Sequence, residues 1–396
     1  MFNDNSNNRI VVFYGAFDRY NYGDNLMPIL FEMYLRKFHH GKLDNIEFMY
    51  SSIKDSDLRE YDCKPTIAMR SLIDTDALPE NSTIVVVGGE VLRADVSTLF
   101  LHVQHSHSVV NFLKIVKRIF PSFLVKIAKM KYGTYWDYPY IPDVSSFSKK
   151  INIVYNTVGG EPHNSQMDKI GKSEYVSVRD KRTYQALSAF DNIHLVPDSV
   201  LMVSSIIDRE YLEKKVRSDI LNYVKDKRYI VLQACPYKVD FSAKEVADEL
   251  NLVREKYNID IVLLPIGYAS GHDDIVFLEK VLSYYKEKFI LFNGLSVWEI
   301  MYIIASSAGF YGTSLHGVIT AMSFHVPHYC INSDIKKLVS FLDTWSVSPY
   351  NKPIKIDQIH ETINKNSDKS IAELQTAVNK AQKIIFNSID DISDIL

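Results

Sequence analysis

Short apolar runs alternate with helical patterns along nearly the whole chain. The first run, Ile10-Val11-Val12-Phe13-Tyr14, leads into a loop with Gly15 and Gly23 and then a helical stretch from about Asn25 to Phe38. The runs Ile46–Tyr50, Ile84–Val87, Ile151–Tyr155, Tyr175–Val178 and Ile193–Val196 follow, with helical patterns between them. Strands this short and apolar throughout suit a parallel sheet, because helices cover both of its faces. The alternation predicts βαβ units with right-handed crossovers. A second series begins after Pro197-Asp198. A charged helix-like segment runs from about Asp208 to Lys225. Strand candidates follow at Tyr229–Gln233, Ile259–Leu264, Phe289–Leu291, Gly309–Tyr311 and His328–Ile331. Ser242 with Glu245 three residues later marks a capping box opening a helix to about Lys256. At 396 residues the chain suits two domains of ordinary size. The expected architecture is α/β, with two Rossmann-like doubly wound domains over residues 1–205 and 206–350. Polar amphipathic helices over 351–396 are expected to pack back on the body.

Residues about 96–136 break this pattern. No Asp or Glu occurs between Asp95 and Asp137, while Lys114, Lys117, Arg118, Lys126, Lys129 and Lys131 do. Val109, Phe112, Leu113, Val116, Ile119 and Phe120 recur at helical spacing, Pro121 interrupts, and Phe123, Leu124, Ile127 and Ala128 resume the stripe. Such a basic amphipathic insertion can lie in the headgroup region of an anionic membrane. Equally, its apolar face can pack on its own domain with the lysines solvated.

Composition narrows the function classes. A formal net charge of −3 argues against wholesale nucleic-acid binding. The 25 Tyr and 20 Phe suit either aromatic cores or sugar-stacking surfaces. Cys63, Cys235 and Cys330 are far apart with no C-x-x-C spacing, which argues against a disulfide framework or structural zinc site and fits a reducing compartment. Met1–Asn8 is polar without an apolar h-region, and no apolar run reaches the roughly 18 residues that span a bilayer. A cytoplasmic protein is expected, peripheral at the inner face of the cell membrane if the insertion docks there.

In doubly wound domains ligands bind beyond the carboxyl ends of strands. Four strings stand there. Gly15 to Asn25 follows the first strand; Asp24 or Asn25 can cap the next helix, and no G-x-G-x-x-G dinucleotide pattern is present. Gly88-Gly89-Glu90 follows an apolar strand, and a Gly pair before a helix can offer amides to an anion. Glu90 is a candidate general base, or else a first-turn Glu favouring the helix dipole. Arg179, after Tyr175–Val178, can grip a carboxylate or phosphate with its planar fork, or form a structural Arg–Asp pair. Asp180 is expected to cap the next helix, and His163 in Gly159-Gly160-Glu161-Pro162-His163 to look toward the cleft or lie on plain surface. In Gly312-Thr313-Ser314-Leu315-His316-Gly317, Thr313 and Ser314 are good N-caps and leave amides around Leu315 free for an anion. His316 can present a ring nitrogen for proton transfer, unless it is a buried, loop-bonded histidine.

Taken in order, Asn21-Tyr22-Gly23-Asp24-Asn25, Gly88-Gly89-Glu90, Ser177-Val178-Arg179-Asp180, Val196-Pro197-Asp198-Ser199-Val200, Gly312 to Gly317 and Ser323-Phe324-His325-Val326-Pro327 resemble the polysaccharide pyruvyl transferase family. The resemblance covers roughly Ile10 to Ile331. It implies a GT-B-like fold with two domains facing a cleft. It also implies phosphoenolpyruvate as donor, and as acceptor a sugar of a surface polysaccharide (an exopolysaccharide, for example) or its lipid-linked precursor. The product is a pyruvate ketal. His316 matches the family's Leu-His motif and is implied to move protons; Arg179 matches the Arg of its Val-Arg-Asp string and is implied to hold the pyruvyl carboxylate. Many members carry Arg where this chain has Ser314, so another residue must supply that charge, with Arg179 and Arg19 as candidates. Neither a metal nor a cofactor is expected beyond the co-substrate, since no H-x-x-x-H string appears. Two other readings stand beside this one: a GT-B glycosyltransferase using a nucleotide sugar, and a non-catalytic carbohydrate-binding or scaffold subunit of a polysaccharide assembly complex.

Overall fold

The computed structural model describes residues 9–102, 107–268, 273–365 and 367–396. Met1–Asn8 and residues 103–106 of the basic insertion lie outside them. Among the described residues, seven strands form one sheet: β1 (Arg9–Tyr14), β2 (Ile46–Ser52), β3 (Ile67–Ala68), β4 (Thr83–Val87), β5 (Asn152–Val158), β6 (Tyr175–Val178) and β7 (Ile193–Leu195). Their spatial order is β3-β2-β1-β4-β5-β6-β7. Five more form a second sheet: β8 (Tyr229–Gln233), β9 (Asp260–Leu263), β10 (Phe289–Leu291), β11 (Phe310–Gly312) and β12 (His328–Cys330), ordered β10-β9-β8-β11-β12. All pairings within the two sheets are parallel. Each sheet therefore has a point where the strand order turns, at β1/β4 and at β8/β11, and a crevice opens there.

Alternation along β1 fixes the layering. Val11 and Phe13 join a core that runs through both halves and the C-terminal helix, whereas Ile10, Val12 and Tyr14 face a smaller core on the sheet's other side. All five residues of β4 and of β8 are buried, as strands covered on both faces must be. The expected strands are present within a few residues. β3 carries no pattern of its own, because a two-residue edge strand is too short to show one.

The helices depart more. The first spans Tyr22–Phe38 and starts before Asn25; its N-cap is the extended Asn21, so neither Asp24 nor Asn25 caps it. The segment from Asp208 splits into Arg209–Glu213 and Ser218–Asp226. Arg217 interrupts it because Glu299 takes both its backbone N–H and its guanidinium, at 3.2 and 2.8 Å. The insertion holds three helices, Val96–His102, His107–Ile119 and Pro121–Tyr132, with Pro121 tolerated in the first turn, where its missing N–H costs nothing. The 26-residue helix Asp368–Ser393 lies against the first half: Gln382 Nε2 donates to the Leu201 carbonyl at 2.9 Å and the Tyr34 hydroxyl to Asp390 at 2.9 Å. No helix among the described residues is long and apolar enough to cross a membrane.

The two sheets are fastened beside the crevice. Asn21 pairs with Gly267 in an isolated antiparallel bridge. The Tyr20 hydroxyl donates to the Leu295 carbonyl at 2.6 Å, and the buried Tyr22 and Thr320 hydroxyls share a bond of 2.8 Å. Removing one partner of a buried hydrogen bond strands the other. Tyr22→Phe is therefore expected to lower the unfolding free energy by about 1–2 kcal/mol in urea titrations, and a value near zero would show that this contact does not hold the halves together.

Candidate active site

A cavity of about 760 Å³ opens where the carboxyl ends of the two sheets meet. The first half contributes Arg19, Asp24, Gly89, Glu90, Arg93 and Arg179; the second contributes Gln233, Lys238, Asp274, Ser314, Leu315, His316 and Lys337. Thr98, Leu99 and Lys117 of the insertion close one side.

His316 stands in the first turn of the helix Leu315–Ser323, where the Ser314 hydroxyl caps by accepting the Gly317 N–H at 3.3 Å. The ring is held from two sides. Its Nε2 is closed to water and lies 3.5 Å from Asp198 Oδ2, an ion contact longer than a good hydrogen bond. Its Nδ1 lies against Gly23, where an added Cβ would come within 1.8 Å of it. Gly23 thus gives the imidazole its room at the start of the first helix.

Asp198 is completely buried and sits in the turn after β7. Its Oδ2 accepts from Arg179 Nη1 at 2.9 Å, and its Oδ1 from the Val200 N–H at 3.1 Å. Burial alone raises the Asp198 pKa, but the His316 ring and the Arg179 guanidinium outweigh it and hold the carboxyl at about 2. Arg179 also reaches Glu90 Oε1 at 3.2 Å, and Arg182 reaches Glu90 Oε2 at 3.0 Å. Against the penalty of burial, Arg179, Lys337 and Arg182 depress the Glu90 pKa. Glu90 therefore remains a carboxylate bound to cations, a poor general base, and a short 3₁₀ turn rather than a helix follows it. The competing reading of Arg179 as a structural pair is realised with Asp198, while its side chain still reaches the cavity.

Lys337 is half-buried in the cleft. Burial, then the charges of Lys238 and Arg179, lower its ammonium to about 8, only partly offset by Glu90 and Asp24. A lysine under that pressure gains from any anion brought beside it. Across the cavity, burial lifts Asp274 to about 6 even though its Oδ2 accepts from Gln233 Nε2 and the Ile266 and Gly267 N–H groups at 2.8–3.0 Å. Among the described residues, no three His, Cys, Asp or Glu side chains cluster as a metal site would require.

Of the residues nominated from sequence, Asp24, Gly89, Glu90, Arg179, Ser314, Leu315 and His316 line this cavity, and five do not. Asn25 has both polar atoms committed to backbone, accepting from the Asn21 N–H at 2.9 Å and donating to the Phe17 carbonyl at 3.2 Å. Gly88 spends its N–H on the Asn156 carbonyl, so it offers nothing to an anion. It is needed because its φ is +54° and a Cβ would meet Met27 Sδ at 2.1 Å. Gly312 packs against Phe310, and Thr313 is buried between Gln233 and the Cys235 N–H. His163 is exposed and bonded to Ser165. Asp180 caps its helix by accepting the Thr183 N–H. Sequence reasoning missed Asp198, Lys337 and Asp274 as site residues. Asp198 had a signal, its place in the Val-Pro-Asp-Ser-Val string; Lys337 and Asp274 sit in ordinary polar segments and had none.

A family model described as polysaccharide pyruvyl transferase matches residues 21–335. No curated protein sequence matches the chain. Among solved structures it is similar to an S. aureus MnaA–UDP co-structure, at 12% identity and TM-score 0.57 with 98% of each chain covered. It is also similar to the Neisseria meningitidis UDP-GlcNAc 2-epimerase bound to UDP-GlcNAc, at 11% identity and TM-score 0.53, again over 98% of each chain. At these identities the likeness concerns the fold, which is GT-B-like.

Removing the Asp198 charge strands Arg179 and His316 together. Asp198→Asn is expected to lower the unfolding free energy by about 2–4 kcal/mol, less than a fully orphaned pair because Glu90 remains on Arg179. A carboxyl depressed to about 2 stabilises the fold fully above its ordinary 3.8 and loses that contribution as pH falls toward 2. The gap between the unaltered chain and Asp198→Asn should therefore stay constant from about pH 5 to 8 and narrow in acid. Denaturant titrations across that range check this, and a gap that grows in acid would contradict it.

Proposed function

The chain belongs to the polysaccharide pyruvyl transferase family, whose model covers residues 21–335, and from that premise we propose that it transfers the pyruvyl group of phosphoenolpyruvate to two hydroxyls of a glycan. The acceptor is a sugar of a surface polysaccharide or its precursor. The observation that carries this reading is His316, held against the buried Asp198 in a cavity rich in cations.

The reaction needs a proton on the donor's methylene carbon, which leaves an oxocarbenium-like centre at the carbon bearing the phosphate. One sugar hydroxyl attacks that carbon, the carbon–oxygen bond to phosphate breaks, and a second hydroxyl closes the ketal. Of the two hydroxyl protons, one is balanced by the new methyl hydrogen and the other leaves with phosphate. His316 is the group assigned to move protons. Asp198, held ionised, lies 3.5 Å behind the ring, as a carboxylate stands behind a catalytic imidazole. Because Arg179 is shared between Asp198 and Glu90, it acts here as a positioning residue whose charge also reaches the cavity. Lys337 and Lys238 meet the donor's carboxylate and phosphate. Lys337 thereby supplies the charge missing at Ser314, whose hydroxyl is occupied as a helix cap. The N-terminus of the helix Leu315–Ser323 favours the departing phosphate as its charge grows.

Two kinetic results test the assignment. In an assay of acceptor-dependent phosphate release from phosphoenolpyruvate, His316→Ala is expected to lower kcat by about 10²–10⁴-fold, with the mass gain on the sugar lost in parallel. Transfer from a nucleotide sugar instead would favour the glycosyltransferase reading, and glycan binding without turnover on any donor the scaffold reading. Because the free enzyme's Lys337 titrates at about 8, kcat/KM for the donor should fall as pH rises through that value. In Lys337→Ala the KM should be raised and this alkaline limb absent; an unchanged limb would remove Lys337 from donor binding.

A further inference from the structure

The helices His107–Ile119 and Pro121–Tyr132 each bury one side and leave the other bare. Leu124 and Ala128 are covered, and Leu113 and Val116 are half-buried. Outside, Phe112, Ile115, Ile119, Phe120, Phe123 and Met130 are each 57–68% exposed. Large side chains exposed elsewhere, such as Phe38, Tyr237 and Leu252, are scattered along the chain. A contiguous exposed apolar patch on a folded protein marks an interaction surface.

Charge says what covers it. The cations of this hairpin that turn inward are matched: Lys117 pairs with Asp95 at 3.2 Å and Lys129 with Asp137 at 2.9 Å. Lys114, Arg118, Lys126 and Lys131 make no ion pair among the described residues, and all four are exposed. No carboxylate lies between Asp95 and Asp137 to balance them. A second copy of this chain docked through the same face would set these cations against their own equivalents, which opposes self-association. Bulky apolar side chains flanked by unpaired cations match an interface of acyl chains under anionic headgroups.

We propose that this hairpin face docks the protein on an anionic lipid surface, its aromatic and aliphatic side chains entering the headgroup region. Lys117, on the same hairpin, lines the cavity together with Thr98 and Leu99, so docking brings one wall of the cavity to the lipid. On the pyruvyl-transfer reading above, that is where an acceptor carried on a lipid would arrive. The docking itself is independent of that reading and is tested without any reaction.

Flotation of the whole chain with vesicles of phosphatidylcholine alone, or mixed with phosphatidylglycerol, should show binding to the mixed vesicles only. The triple variant Lys114→Glu, Arg118→Glu, Lys126→Glu should lose at least about 100-fold in vesicle affinity. The triple variant Phe112→Ser, Ile115→Ser, Phe123→Ser should lose about 10-fold or more. Both alter exposed side chains, so thermal melts near the parent's are expected and would exclude unfolding as the cause. No binding by the unaltered chain, or parental binding by both variants, would overturn the proposal. So would sedimentation showing a dimer that the serine variant splits, which would assign the face to a second copy.

Discussion

A carboxylate with no contact to water has to be matched by charge, and Asp198 is matched from both halves of the molecule. Arg179 comes from the end of β6 in the first sheet, and His316 from the helix after β11 in the second. The desolvation of three ionisable groups is tolerable only while they stay together. This ties the geometry of the candidate site to the closure of the two sheets: a shift of one half relative to the other separates His316 from Asp198. Gly23 adds a steric limit on the same ring, since nothing larger fits between the first helix and the imidazole. The bonds of Tyr20 and Tyr22 across the crevice lie next to Gly23 in sequence and serve the same closure.

The cavity's electrostatics follow from how its charges are shared. Glu90 and Asp198 neutralise Arg179, and Glu90 also takes Arg182, so these cations are largely committed to the protein. Lys337 has no ion-pair partner among the described residues, and burial, then Lys238 and Arg179, push it toward losing its proton. Bringing an anion beside Lys337 relieves that crowding, so this lysine gains more from an anion than a cation already paired does. Ser314 fits the same division of labour. The hydroxyl at that position finishes the helix, while a cavity cation, Lys337, stands two residues past the span matched by the family model.

How legible this was in the sequence depended on the range of the interaction involved. Strands such as Thr83–Val87 and Tyr229–Gln233 were readable because burial on both faces demands an unbroken apolar run. Capping at Ser242, Ser314 and Asp180 was readable because a cap and its amide lie within three residues. The break at Arg217 was not, since Glu299, 82 residues away, takes the N–H that the helix needed. At the site, His316 and Arg179 stood in motifs of distinctive composition. Asn25 and Gly88 stood in motifs too, yet serve backbone geometry, because a motif marks a place and not which of its atoms face the ligand. Lys337 gave no local sign, as its character comes wholly from neighbours distant in sequence.

The insertion shows the same logic at the surface. Its stripe of apolar residues reads as one amphipathic face, but the helices use only part of it inward: Leu124 and Ala128 pack, while Phe123 and Met130 do not. Packing against a domain and presenting an apolar, basic face to the outside are therefore not alternatives for this segment, because opposite sides of the same helices do each. Lys117 joins the two sides. Its ammonium is held by Asp95 and Thr98 at the cavity wall, and one turn earlier Lys114 is free and exposed. An element anchored to the cavity wall on one side and unmatched in charge on the other would, if it docks as proposed, couple where the protein sits to what can enter its cavity.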